Sequence, residues 1–291
     1  MAADLDHAKI VEALTQSHEQ RLYAIMRELE DRVAALAMRA PLQDGQLFDL
    51  VWSINARADL EQIMRETYLT EIDSQIREYQ DIVDSLTTML NEYGDFTGVP
   101  TETVTALQRV AFYGFQDIAS TFSNELADEL YHNALTGRPI EESIRNLRMK
   151  INGVYIQSDQ DEIDRLVELA EAGDEEAVRT LHNVYSADRT GRNMRRYARQ
   201  MIVDSMMQFD AAVNVAAARE IGADRWKYYG TVIEDSRQFC INHVNQIWTE
   251  QEIRDTWAAT SWQGKADGDP FIVRGGYNCR HHFRPVFEEE L

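Results

Sequence analysis

A chain of 291 residues with 44% hydrophobic and 27% charged residues can bury a substantial core in one to three domains, so disorder is not the expected state. The net charge of −21, from 29 basic and 50 acidic residues, excludes a general nucleic-acid binder, because such binding is carried by basic residues that displace counterions from phosphates. Two cysteines exclude a disulfide-rich secreted scaffold, no apolar run approaches the ~20 residues of a membrane span, and MAADLDHAKI lacks the basic start and apolar stretch of a signal peptide.

Only Pro41, Pro100 and Pro139 interrupt the first 225 residues, and segments of helical period run between them. Val11, Leu14, Leu22, Ile25, Leu29, Val33 and Leu36 form one apolar stripe, with His18 on the same face. From Leu69 a heptad seam continues through Ile72, Ile76, Tyr79, Val83, Leu86, Leu90 and Tyr93. Two long antiparallel helices joined through 41–59 are therefore expected, with the stripes as intramolecular core and an exposed partner-binding seam as the alternative. His18 is expected to be a packed histidine.

GDFTGVP at 94–100 breaks the long helix, and TGRP at 136–139 stops another before PIEESIRNLRMKI restarts one with Pro139 near its first turn. Two acidic helices follow, the first capped by Ser158 and ended by Gly173, the second opened by Asp174. Arg189, Arg192, Arg195, Arg196 and Arg199 then fall within eleven residues of an otherwise acidic chain. Either they pair within the chain or they form a basic helix face for phosphate or an acidic partner.

After Gly222 the texture changes: RWKYYGTVI reads as a strand, EDSRQF as a polar turn, QIW as a short strand and TEQE as a capping box. A loop, then FIVR and a final strand around CRHHFRPVF complete the chain. Four of the five tryptophans lie in these last 66 residues, which marks a small domain with its own core. The expected fold is mainly α, with a long helical hairpin over 1–95, a helical region over 96–222 and a small α+β domain over 223–291.

Both cysteines and several histidines are concentrated in FCINHV and GGYNCRHHFRPV. Cys240 and His243 stand three apart, and in a strand Cys279 and His281 would share a face opposite Arg280 and His282. Thiolate with imidazole suits zinc, so Cys240, His243, Cys279 and His281 are candidate ligands of a structural site with two cysteines and two histidines. A metal-free packed cluster and a Cys240–Cys279 disulfide satisfy the same spacing. No glycine-rich phosphate loop, HExxH or nucleophile elbow occurs, and no catalytic residue is assigned.

The run from RRYARQ through GTVIEDSRQFCINHVNQIW to GGYNCRHHFRPV resembles the C-terminal domain of phage minor head proteins, the Mu F-like head morphogenesis family. Trp226, Asp235, Arg237, Cys240, His243, Gly276, Tyr277, Asn278, Cys279, Arg280 and His281 carry the likeness, which covers about residues 190–287. Cys-Arg-His-His replaces the Cys-Arg-Cys of many relatives, and 243 is histidine where a second cysteine of CxxC is common. The resemblance implies a non-enzymatic protein of the virion, inside the head and assembled in the host cytoplasm, docked on the portal protein and serving head assembly, DNA packaging or ejection. Contacts with major capsid or scaffold protein belong to the same expectation, as does local contact with packaged DNA through the five arginines. Because the motif keeps arginine at 237 and 280, at least one is expected to be buried and bonded to neighbours such as Asp235. Ending at Leu291, the chain is expected to carry no appended toxin or enzyme domain. The competing classes are a metal-dependent hydrolase using the Cys/His cluster and a helical adaptor using the heptad seam.

Overall fold

The computed structural model describes residues 2–91, 97–153, 192–234, 236–276 and 279–286, with 165, 169, 174, 176 and 177 between them. The fold is mainly helical with a small antiparallel sheet near the C-terminus. Helix α1 spans Ala2–Met38, and a two-strand hairpin follows (β1 Leu42–Gln43, β2 Gln46–Leu47). Next come α2 (Leu50–Ile63), a π-helical stretch (Met64–Leu69), α3 (Thr70–Arg77), α4 (Tyr79–Asn91), α5 (Thr101–Thr136), α6 (Ile140–Asn152) and α7 (Met194–Glu220). The last part holds β3 (Arg225–Tyr229), α8 (Gln238–His243), β4 (Ile247–Thr249), α9 (Glu250–Ala259), α10 (Pro270–Val273) and β5 (His282–Pro285).

Two compact units each gather distant stretches, one from Met1–His18, Asp73–Gly114 and Gln200–Leu291, the other from Glu19–Ile72 and Phe115–Arg199. They cut across the linear division at 95 and 222, because a long helix gives successive parts of its length to different cores.

In the second unit Leu22, Ile25, Leu29, Val33 and Leu36 of the α1 stripe are buried, as is Met26, with Phe115, Phe122, Leu126 and Leu130 of α5 and Leu147 and Ile151 of α6. Val11 and Leu14, near the helix start, are half-buried. The β1–β2 hairpin turns through Asp44 and Gly45, both at positive φ, the conformation a two-residue hairpin loop needs. Asp49 caps α2 by accepting from Trp52 N at 2.8 Å. The inward face of α2 is Ser53, Ala56, Leu60 and Ile63, so its large apolar residues Val51 and Ile54 stay 69% and 60% exposed. Second-helix structure thus begins at Leu50, well before the seam at Leu69.

In the first unit Ile76, Tyr79 and Val83 of the seam are buried, and the Tyr79 ring meets Phe209 edge-on at 4.8 Å and His18 at 5.4 Å. His18 is packed, as expected, with Nδ1 3.1 Å from Gln75 Oε1. Every one of these described seam positions is intramolecular core; the side chains of Leu86, Leu90 and Tyr93 lie outside the description.

The arginine face of α7 is drawn inward. Arg192 pairs with Glu125 at 2.7 Å, Arg199 with Glu19 at 3.1 Å, and the buried Arg195 lies 4.2 Å from the centre of the Tyr23 ring. Burial lowers the pKa of Arg195. Arg196 is exposed, and Arg189 falls outside the described residues, as do Ser158 and Gly173. Asp174 caps as expected, accepting from the amides of Glu176 and Ala177.

The C-terminal sheet has the order β4-β3-β5, all antiparallel. Alternation along β3 sends Trp226 and Tyr228 inward, both 0% exposed, and Arg225 and Tyr229 outward. Their core includes Val215 and Ala218 of α7, Phe239, Ile253, Trp257, Phe271 and Phe283. The Thr249–Glu252 capping box forms in full at the start of α9. PFIV makes a helical turn, with Asp269 capping and Pro270 at its first position, so the final strand begins only at His282.

Candidate metal centre

Three segments bring the cysteines together. On α8, Phe239 and Cys240 face the core. After α10 the chain reverses sharply: Arg274 has φ 55°, Gly276 has φ 95°, and a Cβ on Gly276 would collide with the Gly264 carbonyl. Trp262 Nε1 donates to Gly275 O at 2.9 Å and holds that turn. Cys279 and His281 then point inward while Arg280 is exposed, the alternation expected although these residues precede the paired strand.

The two sulfurs are free thiols 3.8 Å apart, so no disulfide joins them. Cys279 Sγ lies 3.7 Å from His281 Nδ1, and one ligand atom each of Cys240, Cys279 and His281 falls within a 4.8 Å group. All three residues are buried. Zinc with ligands at about 2.3 Å for sulfur and about 2.05 Å for nitrogen sets tetrahedral edges of about 3.8 Å between sulfurs and about 3.6 Å from sulfur to nitrogen. These two separations match those edges, and the Cys240–His281 pair lies within 4.8 Å.

His243, the fourth expected ligand, stands elsewhere. At the last turn of α8 its Nδ1 donates to the Phe239 carbonyl at 2.6 Å, its ring stacks on Phe239 at 4.3 Å and abuts Trp248 at 5.3 Å. That carbonyl lies one turn back, so the ring is anchored on its own helix, and His243 is not among the grouped donors. Arg237 is half-buried and donates to Gln263 O at 3.1 Å, the local bonding expected of one of the two arginines but with less burial, while Arg280 is exposed. Asp235, Tyr277 and Asn278 lie outside the described residues.

The deeply buried arginine is Arg274, 1% exposed, whose Nε and Nη1 have no hydrogen-bond partner among the described residues. Burial lowers its pKa, and the charges of Cys279, Asp204, Tyr228 and Asp210 oppose that shift, Cys279 most strongly. The hydrogen bond between the sulfurs lowers the pKa of Cys279 and raises that of Cys240. Burial pushes the Tyr228 phenol far up, and the neighbouring sulfurs add to it.

Glycines shape the pocket. A Cβ on Gly275 would stand 2.6 Å from Cys240 Sγ, 2.8 Å from Cys279 Sγ and 3.2 Å from Tyr228 Oη. Gly275 thus leaves open a cradle ringed by three donor atoms. A Cβ on Gly230 would come within 2.5 Å of the His281 ring, so glycine there lets that ring lie over the end of β3. Tyr228 and Arg274 were not singled out by sequence; the alternation in RWKYY is the signal that puts a phenol beside Trp226 on the inner face. This donor set fits one tetrahedral ion with thiolate and imidazole ligands, which would pin α8 to the segment entering β5. Comparison with family models, curated proteins and solved structures finds no match to this chain.

Proposed function

We propose that this chain is a structural minor head protein of a tailed phage, docked on the portal inside the head and serving assembly, packaging or ejection, its C-terminal part closed by one zinc ion on Cys240, Cys279 and His281. The observation that carries this reading is the convergence of the motif residues. Trp226, Cys240 and Cys279, which carry the Mu F-like resemblance, share one buried core, and His281 lies beside Cys279. A hydrolase is less well supported: both sulfurs are 2–4% exposed behind Tyr228 and Gly275, whereas a catalytic metal needs an open position for substrate or water.

Because Ile72, Ile76, Tyr79 and Val83 of the described seam are buried, docking is better served by another surface, and the second unit offers one. Phe48 packs on Gly137 beyond the end of α5, and Arg57 bonds Asn124 and Asp128 of α5 at 2.5 and 3.0 Å, so α2 runs antiparallel along that helix. Phe48, Val51, Ile54, Tyr131 and Leu135, 38–69% exposed, therefore line one apolar strip. Residues 38–57 carry two arginines and two aspartates, a neutral stretch in a chain of net charge −21. Deleting 1–100 would remove core helices of both units, so a point test is cleaner. Val51→Glu with Ile54→Glu is expected to leave thermal unfolding unchanged and to cut incorporation into assembled heads at least tenfold. Normal incorporation of the double variant would reject this docking face; absence of the wild-type chain from purified heads would reject the head-protein reading.

A further inference from the structure

We infer that the Tyr228 phenol oxygen is the fourth ligand of this centre, giving a donor set of two cysteines, one histidine and one tyrosine in which the phenol stands where His243 was expected. This assignment rests on the zinc reading above. Tyr228 Oη lies 3.5 Å from Cys240 Sγ and 3.4 Å from Cys279 Sγ, nearly equidistant from the two. With zinc–oxygen at about 2.1 Å, a tetrahedron sets sulfur–oxygen edges of about 3.6 Å, close to both values. Near-equal contact with both sulfurs is what a shared vertex requires.

Three further observations support the assignment. First, the ring is held before any ion arrives: β3 fixes its direction, His281 stacks on it at 5.3 Å and 15°, and Phe239 and Phe283 flank it. Second, the Gly275 cradle is bounded by the two sulfurs and by this oxygen. Third, two thiolates and a phenolate around a dication leave one excess negative charge. The Arg274 guanidinium, buried in the turn that precedes Cys279 and with two nitrogens lacking hydrogen-bond partners among the described residues, is the cation available to offset it. Asp204 also draws on that cation.

The test uses the full chain prepared without metal, with zinc and cobalt(II) as probes. Zinc should bind one per chain and produce the ultraviolet difference absorption of one ionised phenol, which Tyr228→Phe should abolish from among the 12 tyrosines. In that variant zinc should bind at least tenfold more weakly, and the visible spectrum of the cobalt form should shift as an oxygen donor is lost. Should wild-type protein take up one zinc with no ionised phenol, Tyr228 is not a ligand and the inference falls while the zinc reading stands. Should wild-type protein bind no zinc, both fall together. The wild-type measurement decides the matter even if Tyr228→Phe does not fold.

Discussion

Gly275→Ala isolates the packing of the cluster from backbone effects. The position has an ordinary φ, so an added methyl group brings no left-handed strain, only a carbon 2.6 Å and 2.8 Å from two buried sulfurs and 3.2 Å from a buried phenol oxygen. None of these atoms is the free end of a flexible chain: Tyr228 is walled in by rings, and each sulfur sits one bond from its Cβ in a buried segment. Overpacking of this kind costs about 1–3 kcal/mol. For a chain of this size that corresponds to a fall in Tm of roughly 2–10 °C. Gly222→Ala is the control, since its φ is +78° and no atom lies within 4 Å of the added carbon. It should cost about 1 kcal/mol from conformation alone and leave the sulfurs untouched. Urea unfolding read through near-ultraviolet circular dichroism of the C-terminal tryptophans gives both numbers, with an unchanged slope m as the condition for comparing them. Zinc uptake should weaken in Gly275→Ala and stay normal in Gly222→Ala. If Gly275→Ala loses less than about 0.5 kcal/mol and binds zinc as before, the cluster is not closed against that turn and the cradle argument is wrong.

Thr249→Ala removes the acceptor for Glu252 N and breaks the capping box, and should cost about 1 kcal/mol, read as a lower urea midpoint. Burial alone would raise the Glu250 pKa, but hydrogen bonds from Arg254 and Arg219 outweigh it and hold it below the ordinary carboxylate value. A depressed carboxylate stabilises the fold above the unfolded-state pKa of about 4.3 and loses that contribution as pH falls through the folded-state value. Glu250→Gln should therefore be less stable than wild type at neutral pH, with the gap closing below about pH 4; a gap that is flat from about pH 7 to about pH 3 would show that the arginine pairing contributes nothing.

Much of this protein is legible in one dimension because the signals are local. Proline, glycine and capping residues act within a turn of where they stand, so the break just before Thr101, the stop at 136–139, the Asp174 cap and the Thr249 box could be read directly. Apolar periodicity likewise marks which face of a helix must be buried, and Leu22, Leu29, Ile76 and Tyr79 are core. Periodicity does not say against what, so the sharing of α1, α5 and α7 between two units could not be foreseen. The metal candidates divide along the same line. Cys279 and His281 follow from alternation in extended chain, whereas Cys240 and His243 share a helix on which the histidine bonds the carbonyl one turn back. Which fourth donor faces the sulfurs depends on β3 crossing behind α8, and which arginine is buried depends on the turn after α10. Those are relations between segments 12 to 51 residues apart, set by how the pieces pack and not by any property of the pieces alone.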